Sequence, residues 1–167
     1  MNKIGNFSSK PVKIFHGSNI EVRNPKILTT GFNKDFGYGF YCTEMRNQSE
    51  KWALRKSRVK GFPTVSEFEY KEDKSLKIVK FKEPNEQWIK FIALCRAGLP
   101  SFDYDIIEGT MADDTVYNYV TDFIEGRLSL KTFLDICRFN KPTHQITFHT
   151  DRSLHCLKFI GSYEVRR

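Results

Sequence analysis

The sequence lacks the features of a membrane protein or of a disulfide-stabilised secreted domain. No apolar run approaches the roughly 20 residues that a membrane-spanning helix needs, and the opening MNKIGNFSSKPVKI has no uninterrupted apolar stretch typical of a secretory signal. Four scattered cysteines, without a CxxC spacing, favour reduced thiols over disulfides or zinc ligation: Cys42, Cys95, Cys137 and Cys156. We therefore expect a soluble, cytoplasmic protein with no metal and no membrane partner.

Repeats, low-complexity segments and Pro/Gly-rich linkers are also absent. A chain of 167 residues with 40% hydrophobic residues and 15 Phe has ample material for one core. Such a chain buries roughly 70% of its unfolded surface in a single core. The prediction is one domain over residues 1–167.

Short β-prone runs and helical periodicities are mixed without a regular strand–helix alternation, which predicts an α+β fold. The stretch from Asn24 to Gly39, rich in Gly, is predicted to be mostly loop, and Asn47 with Glu50 resembles a capping pair that opens a helix. The patterns predict strands at about 12–16, 40–42, 63–70, 75–81, 104–108, 145–149 and 159–165, and helices at about 46–59, 85–97, 114–125, 129–138 and 151–158.

The net charge of +7 is unevenly distributed. Six basic residues and one acid lie between Arg46 and Lys60, whereas seven acids and no Lys or Arg lie between Asp103 and Glu125. A basic face can attract a nucleic acid, a nucleotide phosphate or an acidic partner. A solvated helix face with an acidic surface elsewhere explains the same pattern. Charge indicates anionic ligands without identifying one.

Several familiar site motifs are incomplete. His144 and His149 lie five residues apart with no HExxH, which favours structural histidines over metal ligands. Gly37-Tyr38-Gly39 lacks the Lys-Ser/Thr ending of a phosphate loop. A nucleophile-elbow pattern is also missing.

An ordered series of motifs carries the main functional signal. His-Gly-Ser at 16–18 ends a predicted strand, and Lys-Asp-Phe-Gly-Tyr-Gly-Phe-Tyr at 34–41 leads into another. A predicted helix then carries Ser49 and Trp52, eight and eleven residues after Tyr41. This order resembles the His-Tyr-Glu branch of the ADP-ribosyltransferase superfamily, which includes the poly(ADP-ribose) polymerases.

A closer resemblance runs from about residue 12 to the C-terminus. FHGS, KDFGYGFY, the QSEKWA helix, EGTMADD and HQITFHT together resemble the bacterial domain-of-unknown-function family 3990, which is placed in the same superfamily. The resemblance implies an ADP-ribosyltransferase-like split β-sheet fold with flanking helices. It also implies NAD⁺ as co-substrate and no metal.

By this resemblance, the strand-end motif holds the dinucleotide. His16 would bind the adenosine-side ribose, with Ser18 beside it, and Gly17 would offer its backbone N–H and C=O to the carboxamide. A residue without a side chain lets a ligand approach closely. Tyr41 would form one wall of the nicotinamide pocket.

The helix and the Gly-rich loop complete the implied pocket. Ser49 would point its hydroxyl at the carboxamide, and Trp52 would stack on the cationic nicotinamide ring, a contact worth on the order of 2 kcal/mol when desolvated. Asp35 is a weaker candidate for a ribose contact, and Lys34 is a candidate for a phosphate. Loss of nicotinamide leaves an oxocarbenium-like sugar, so catalysis depends on holding the ligand and stabilising positive charge.

The third catalytic position departs from the branch pattern. The polymerases place a Glu at the start of a late strand, where this sequence has Gln145. A Gln can hydrogen-bond a ribose hydroxyl but cannot act as a carboxylate base, which argues against polymer elongation. Asp113 or Asp114 resembles the Asp of bacterial rifamycin ADP-ribosyltransferases, and helix N-capping explains either equally well.

The resulting hypothesis is a mono-ADP-ribosyltransferase with a protein or nucleic-acid acceptor. The resemblance suggests a bacterial toxin or effector setting with a small antitoxin-like partner. Two alternatives stay open: an NAD⁺ glycohydrolase, and a non-catalytic module that binds NAD⁺ or ADP-ribose. The neutral Gln145 is the argument for the second alternative.

Overall fold

The computed structural model describes residues 10–30, 34–99, 102–112, 114–139 and 142–166. Its strands are β1 (Val12–Ser18), β2 (Phe40–Cys42), β3 (Thr64–Tyr70), β4 (Ile78–Phe81), β5 (Ile106–Gly109), β6 (Gln145–Phe148) and β7 (Leu157–Glu164). Its helices are α1 (Arg46–Lys56), α2 (Glu86–Arg96), α3 (Asp114–Ile124), α4 (Leu130–Phe139) and α5 (Asp151–Leu154). Mixed helices and strands in two sheets confirm the predicted α+β class.

The two sheets meet at one short bridge. The first sheet has the order β1-β3-β7 and the second the order β2-β6-β5-β4. Phe15 and Thr43 exchange backbone hydrogen bonds of 2.8 and 2.9 Å, which join β1 to β2. Past this bridge, towards Gly17, the two strands separate. The separation places the end of β1 beside β2 without a continuous ladder.

Alternation along the strands produces three layers of packing. One core lies between the sheets and includes Ile14, Phe68, Ile106, Ile146 and Phe148. A second covers the other face of the second sheet and includes Tyr41, Trp88, Ile107, Val120 and Phe133. The third, formed by Phe15, Ala53 and Val65, fixes α1 against the outer face of the first sheet. Helix α1 is thereby held beside the gap between β1 and β2.

The predicted start and end of α1 need correction. The N-cap is Met45, which makes no side-chain capping bond, so the predicted Asn47–Glu50 pair does not open the helix. Glu50 instead bonds Arg46 and the hydroxyl of Tyr163 on β7. The helix ends at Lys56 instead of continuing to 59. Tertiary contacts therefore outweigh the local capping signal here.

The C-terminal elements also differ from the prediction. Helix α5 ends at Leu154 instead of 158, and β7 begins at Leu157 instead of 159. A capping box between Thr150 and Ser153 closes one short turn. After it, the alternation of half-buried and exposed residues typical of a strand already starts at Leu157. Other predicted boundaries agree within three residues.

One acid of the acid-rich stretch, Asp105, lies inside the fold and not on its surface. Asp105 is 1% exposed and accepts hydrogen bonds from Thr150, Arg152 and the backbone N–H of Lys77. These contacts fix the start of β5 to the turn before α5. Asp105 thus holds these elements together inside the fold. Among the described residues, no helix is long and apolar enough to cross a membrane.

Candidate functional site

A small pocket lies where β1 and β2 separate, and we call it the split pocket. Its lining includes five residues singled out from the sequence: Gly17, Tyr41, Ser49, Trp52 and Gln145. They come from β1, β2, α1 and β6, whose packing brings together positions up to 128 residues apart. The cavity measures about 10 Å³, room for about one water molecule. Any flat ring must therefore displace a side chain to enter.

The backbone of Gly17 faces the split pocket with a donor and an acceptor. Phe15 uses its N–H and C=O for the bridge to Thr43, so these groups point away from β3. In an antiparallel ladder, backbone groups two residues apart point to the same side. The N–H and C=O of Gly17 therefore also point away from β3. Beyond the bridge no described residue bonds them, because β2 has moved away.

The absence of a side chain at Gly17 is required by α1. A Cβ at this position would lie 2.0 Å from the carbonyl oxygen of Ser49 and 3.0 Å from the backbone nitrogen of Ala53. The sequence-based reason for this glycine was close approach by a ligand. The helix backbone occupies that space instead. A ligand can therefore contact the N–H and C=O of Gly17 but not its Cα.

His16 precedes Gly17 on β1, and its ring makes a bond to β2. Its Nδ1 lies 2.6 Å from the carbonyl oxygen of Tyr41, and its ring stacks on Phe40 with 4.4 Å between centroids. A carbonyl only accepts, so Nδ1 carries the proton and Nε2 keeps a lone pair. Burial lowers the pKa of His16 to about 4, aided by the charge of Lys56. His16 is thus a neutral acceptor at physiological pH.

Two lysines give this edge of the site a positive charge. The Lys34 ammonium lies 4.6 Å above the ring centroid of Tyr41. Burial lowers the pKa of Lys34, and repulsion by Lys56 lowers it further. Lys56 follows Trp52 by four residues on α1, which places both on one helix face. In the sequence Lys56 stands out only as part of a basic stretch, although its spacing from Trp52 is a signal that could have identified it.

Tyr41 is an uncharged wall. Its hydroxyl donates to the carbonyl of Gly37 at 2.7 Å and accepts from the N–H of Phe36 at 3.1 Å. Burial raises the pKa of this phenol, so it stays protonated. The hydroxyl is used to hold the preceding turn, where Gly37 has a φ of 75°. The ring is the part of Tyr41 that can contact a ligand.

Ser49 and Trp52 supply the helical side of the pocket. The Ser49 hydroxyl is 2% exposed and donates to the carbonyl of Arg46 at 2.7 Å. Its oxygen lone pairs can still accept a hydrogen bond. Trp52 is partly buried and packs against the helical core. Trp52 is therefore a pocket wall that the fold does not fully enclose.

Gln145 has an amide orientation that its neighbours determine. Its Nε2 lies 3.2 Å from the carboxylate of Asp35 and 3.3 Å from the carbonyl of Thr110. Both partners are acceptors, so the nitrogen must point towards them and Oε1 must point away. Within the described residues no donor bonds Oε1. Since Gln145 lines the split pocket, Oε1 is an acceptor available to a ligand.

Asp35, the weaker candidate for a ribose contact, does not line the split pocket and lies behind Gln145. The carboxyl is 4% exposed, accepts the N–H of Ala112 at 2.7 Å and pairs with Arg96 at 2.5 Å. Burial raises its pKa, and the Arg96 charge opposes that shift. Its oxygens are occupied, so its contribution is to position Gln145.

This arrangement explains why position 145 carries an amide. A Glu there would bring a second carboxylate within hydrogen-bond distance of Asp35 in a buried site. Two buried carboxylates that close disfavour their joint ionisation. Gln145 donates to Asp35 instead.

The remaining predicted residues are only partly located. Ser18 ends β1, is 8% exposed and lies 3.4 Å from the Asn19 side chain, outside the pocket lining. Asp113 lies outside the described residues. Asp114 is the first residue of α3, and its side chain also lies outside the described part. Both acids stay untested candidates.

A second, larger cavity of about 570 Å³ lies at the ends of the parallel strands β4 and β5. Its walls include Lys80, Lys82, Thr110, Arg138 and Thr143. Its hydroxyl groups are already bonded, since Thr143 contacts Thr110 at 3.0 Å and accepts the N–H of Met111 at 3.0 Å. Size alone favours this cavity as a ligand site.

One group of metal-type donors lies next to it. In the described part of the chain, donor atoms of Glu44, Glu108 and His144 lie within 4.8 Å of one another. However, Nδ1 of His144 accepts the backbone N–H of Glu44 at 3.1 Å, so neutral His144 carries its proton on Nε2, next to Glu108. Lys80 also pairs with Glu108 at 3.0 Å. A cation would have to displace the proton on Nε2 of His144 and the ammonium of Lys80 from Glu108.

Comparison with known proteins identifies the family. The family model described as "Protein of unknown function (DUF3990)" matches residues 12–159, a range that includes the whole split pocket. Comparisons with curated proteins and with solved structures each gave no significant match. The chain therefore belongs to the DUF3990 family.

Proposed function

We propose that this protein binds NAD⁺ in the split pocket and transfers one ADP-ribose unit to a protein or nucleic-acid acceptor. The observation that carries the proposal is the unbonded peptide edge of Gly17. It offers one donor and one acceptor, the complement of a primary carboxamide. Nicotinamide carries such a group, with an oxygen that accepts and an NH₂ that donates.

The pocket walls support a nicotinamide ring at this place. The carboxamide oxygen would accept from the Gly17 N–H, and its NH₂ would donate to the Gly17 carbonyl and the Ser49 hydroxyl oxygen. Tyr41 and Trp52 supply aromatic surfaces for the cationic ring. Entry needs Trp52 to move, because the cavity holds only about 10 Å³.

The neighbouring groups suit the rest of the dinucleotide. Nε2 of neutral His16 accepts from a ribose hydroxyl. Lys34 and Lys56 supply positive charge for the diphosphate, and an anion between them relieves the repulsion that now lowers the pKa of Lys34. The site thereby matches NAD⁺ at three chemically different points.

Gln145 defines the expected chemistry at the reacting carbon. Its Oε1 accepts from a hydroxyl of the nicotinamide-side ribose and places a partial negative charge near the developing oxocarbenium. The C1′–N bond breaks, its electron pair stays on the leaving nicotinamide, and the acceptor nucleophile bonds C1′ and loses its proton. A neutral amide cannot take that proton, which supports transfer of single units to an acceptor that supplies its own base.

The setting follows from the substrate and from the family resemblance. Because NAD⁺ is a cytosolic co-substrate, the proposal places the activity in the cytoplasm. The toxin or effector role and the antitoxin-like partner belong to the same proposal and rest on resemblance alone.

The test uses NAD⁺ labelled in both the nicotinamide and the adenine. Free nicotinamide and adenine label on protein or nucleic acid are measured for the unmodified protein, for His16→Ala and for His149→Ala. His149 is the matched control because burial also lowers its pKa to about 4 and its Nδ1 lies 2.7 Å from the carbonyl of Tyr38, outside the pocket.

Each outcome selects one function. Nicotinamide release with macromolecular label, lost in His16→Ala but kept in His149→Ala, supports the transferase. Release without label would indicate an NAD⁺ glycohydrolase. NAD⁺ binding without release would indicate a binding module, which the neutral Gln145 favours. The absence of both NAD⁺ binding and nicotinamide release would refute NAD⁺ as the ligand.

A further inference from the structure

Three large apolar side chains are exposed close together beyond the end of α1. Val59 is 96% exposed, Phe62 68% and Ile20 59%. Single exposed apolar residues are ordinary on protein surfaces, whereas several in one place mark an interaction site.

Hydrogen bonds hold these residues in one place. The N–H of Phe62 donates to the carbonyl of Asn19 at 2.9 Å, and the Asn19 side chain donates to the carbonyl of Lys60 at 3.0 Å. Gly61 has a φ of +82° and its Cα lies against Asn19, where a Cβ would come within 2.2 Å of the carbonyl oxygen. The loop is therefore fixed against the turn that carries Ile20.

Positive charge is interleaved with the apolar groups. Arg58 and Lys60 flank Val59, and both are exposed. The sequence from Lys51 to Ser66 contains no acidic residue. We call Ile20, Arg58, Val59, Lys60 and Phe62 the loop patch.

We propose that the loop patch docks an acidic, amphipathic segment of a partner protein. The apolar groups require an apolar surface to cover them, and the two cations require carboxylates. Nucleic acid fits less well, because Val59 and Ile20 are aliphatic and cannot stack on bases. Phe62 is the anchor, since large aromatic side chains carry most of the energy at interfaces.

The position of the loop patch gives this docking a consequence. Ile20 lies two residues after Ser18, and the loop follows α1, which carries Ser49 and Trp52. A docked partner therefore lies at the ends of β1 and α1, the elements that contribute Gly17, Ser49 and Trp52 to the split pocket, and is a candidate acceptor. The acceptor role rests on the proposed function, whereas the docking itself does not.

The experiment measures binding directly and does not depend on NAD⁺ chemistry. The probe is a fluorescent 16-residue helical peptide with Glu on one face and Leu and Phe on the other. Comparison probes are the same peptide with Lys in place of Glu, a 12-nucleotide single-stranded DNA, and phosphatidylcholine vesicles containing phosphatidylserine.

Two double variants separate the contributions: Val59→Ser with Phe62→Ser, and Arg58→Gln with Lys60→Gln. The matched control is Leu99→Ser, because Leu99 is 66% exposed elsewhere. We expect each double variant to weaken binding of the acidic peptide by about tenfold and the control to change it less than about twofold. The charge variant should also remove most of the salt dependence.

The remaining outcomes are decisive. Failure of the acidic peptide to bind, or binding that neither double variant weakens, would overturn the proposal. Tighter binding of DNA or vesicles that depends on the same residues would replace the protein partner with that class. His16→Ala should keep full peptide binding, so loss of NAD⁺ activity and loss of docking are distinguishable.

Discussion

Two of the cavities among the described residues can be compared, and the larger of them has fewer polar groups without a partner. The larger, about 570 Å³, has walls that are both apolar and polar, and several of its polar groups are paired, such as Thr143 with Thr110 and Lys80 with Glu108. The split pocket, about 10 Å³, has the unbonded peptide edge of Gly17 and the Oε1 of Gln145. Unsatisfied polar groups have a cost unless a ligand uses them. Chemistry, more than volume, therefore locates the candidate site.

The difference arises from how each cavity is built. The larger lies among loops at the ends of β4 and β5, where side chains can bond one another. The split pocket lies where two strands that share a bridge separate, so backbone groups lose their partners. The following variants test whether this contrast has functional meaning.

Gly17→Ala should have the largest effect. The added Cβ would meet the Ser49 carbonyl oxygen at 2.0 Å, so α1 must shift and the pocket must distort. Overpacking of this kind costs about 1–3 kcal/mol, equivalent to a fall in Tm of about 2–12 °C for a chain of this size. We expect nicotinamide release to fall at least about a hundredfold, since positioning errors of about 1 Å have that effect.

The matched control is Gly161→Ala on β7, where the described residues leave the space around an added Cβ open. It should keep both activity and Tm. Full activity in Gly17→Ala would mean that the packing of α1 against Gly17 does not determine the shape of the pocket.

Gln145→Glu should have the next largest effect and should lower activity. Resemblance to the His-Tyr-Glu branch suggests the opposite, because it would restore the carboxylate. Here Asp35 accepts from Gln145 at 3.2 Å, so a second carboxylate would be repelled or protonated. We expect nicotinamide release at pH 7.5 to fall about tenfold, within the range of coupling between contacting residues.

Adding Asp35→Asn to Gln145→Glu should recover part of the loss, because it removes the repulsion between the two carboxylates. The double-mutant cycle, measured by nicotinamide release and by Tm, gives the coupling. Additive losses would mean that Asp35 does not position residue 145.

The pH dependence of NAD⁺ affinity should be a smaller effect. Burial lowers the pKa of His16 from 6.5 to about 4 in the folded protein. NAD⁺ affinity should therefore change by less than about twofold between pH 7.5 and 5, because His16 stays neutral. Titration calorimetry at a series of pH values measures this affinity. A change of affinity with a midpoint near pH 6.5, absent in His16→Gln, would mean that His16 is accessible to solvent.

Stability should respond in the same window. In the unfolded chain His16 is protonated near pH 6.5, whereas in the folded protein it is protonated only near pH 4. The contribution of His16 to the free energy of unfolding is therefore complete above pH 6.5 and declines as the pH falls from 6.5 to 4. Unfolding in urea at pH 7.5 and 5, compared with His16→Gln, isolates the effect.

Lys82→Gln and Arg138→Gln in the larger cavity should have the smallest effect. Both residues lie outside the split pocket, so nicotinamide release should change by less than about twofold. A tenfold loss in either variant, with Tm unchanged, would move the reaction to the larger cavity.

Much of the site was predictable because its residues follow in order along short segments. The motifs at Gly17, Tyr41, Ser49 and Trp52 converge on one pocket, as the spacing suggested. The contact between Asp35 and Gln145 was not predictable, because the two residues are 110 positions apart and no local pattern reports it.

The fold shows the same division between local and distant information. Strand alternation and helical periodicity predicted the α+β class and most of the boundaries. The bridge between Phe15 and Thr43, which creates the pocket, depends on how the two sheets meet. Sequence periodicity contains no signal for a ladder that ends after one pair of bonds.

The most direct test is a crystal structure of the protein with nicotinamide at saturating concentration. We expect an ordered ring between Tyr41 and Trp52, with Trp52 displaced from its present position. The carboxamide oxygen should lie about 2.9 Å from the nitrogen of Gly17, and its NH₂ should face the Gly17 carbonyl. Nicotinamide bound in the larger cavity, or an empty split pocket at saturation, would contradict the account.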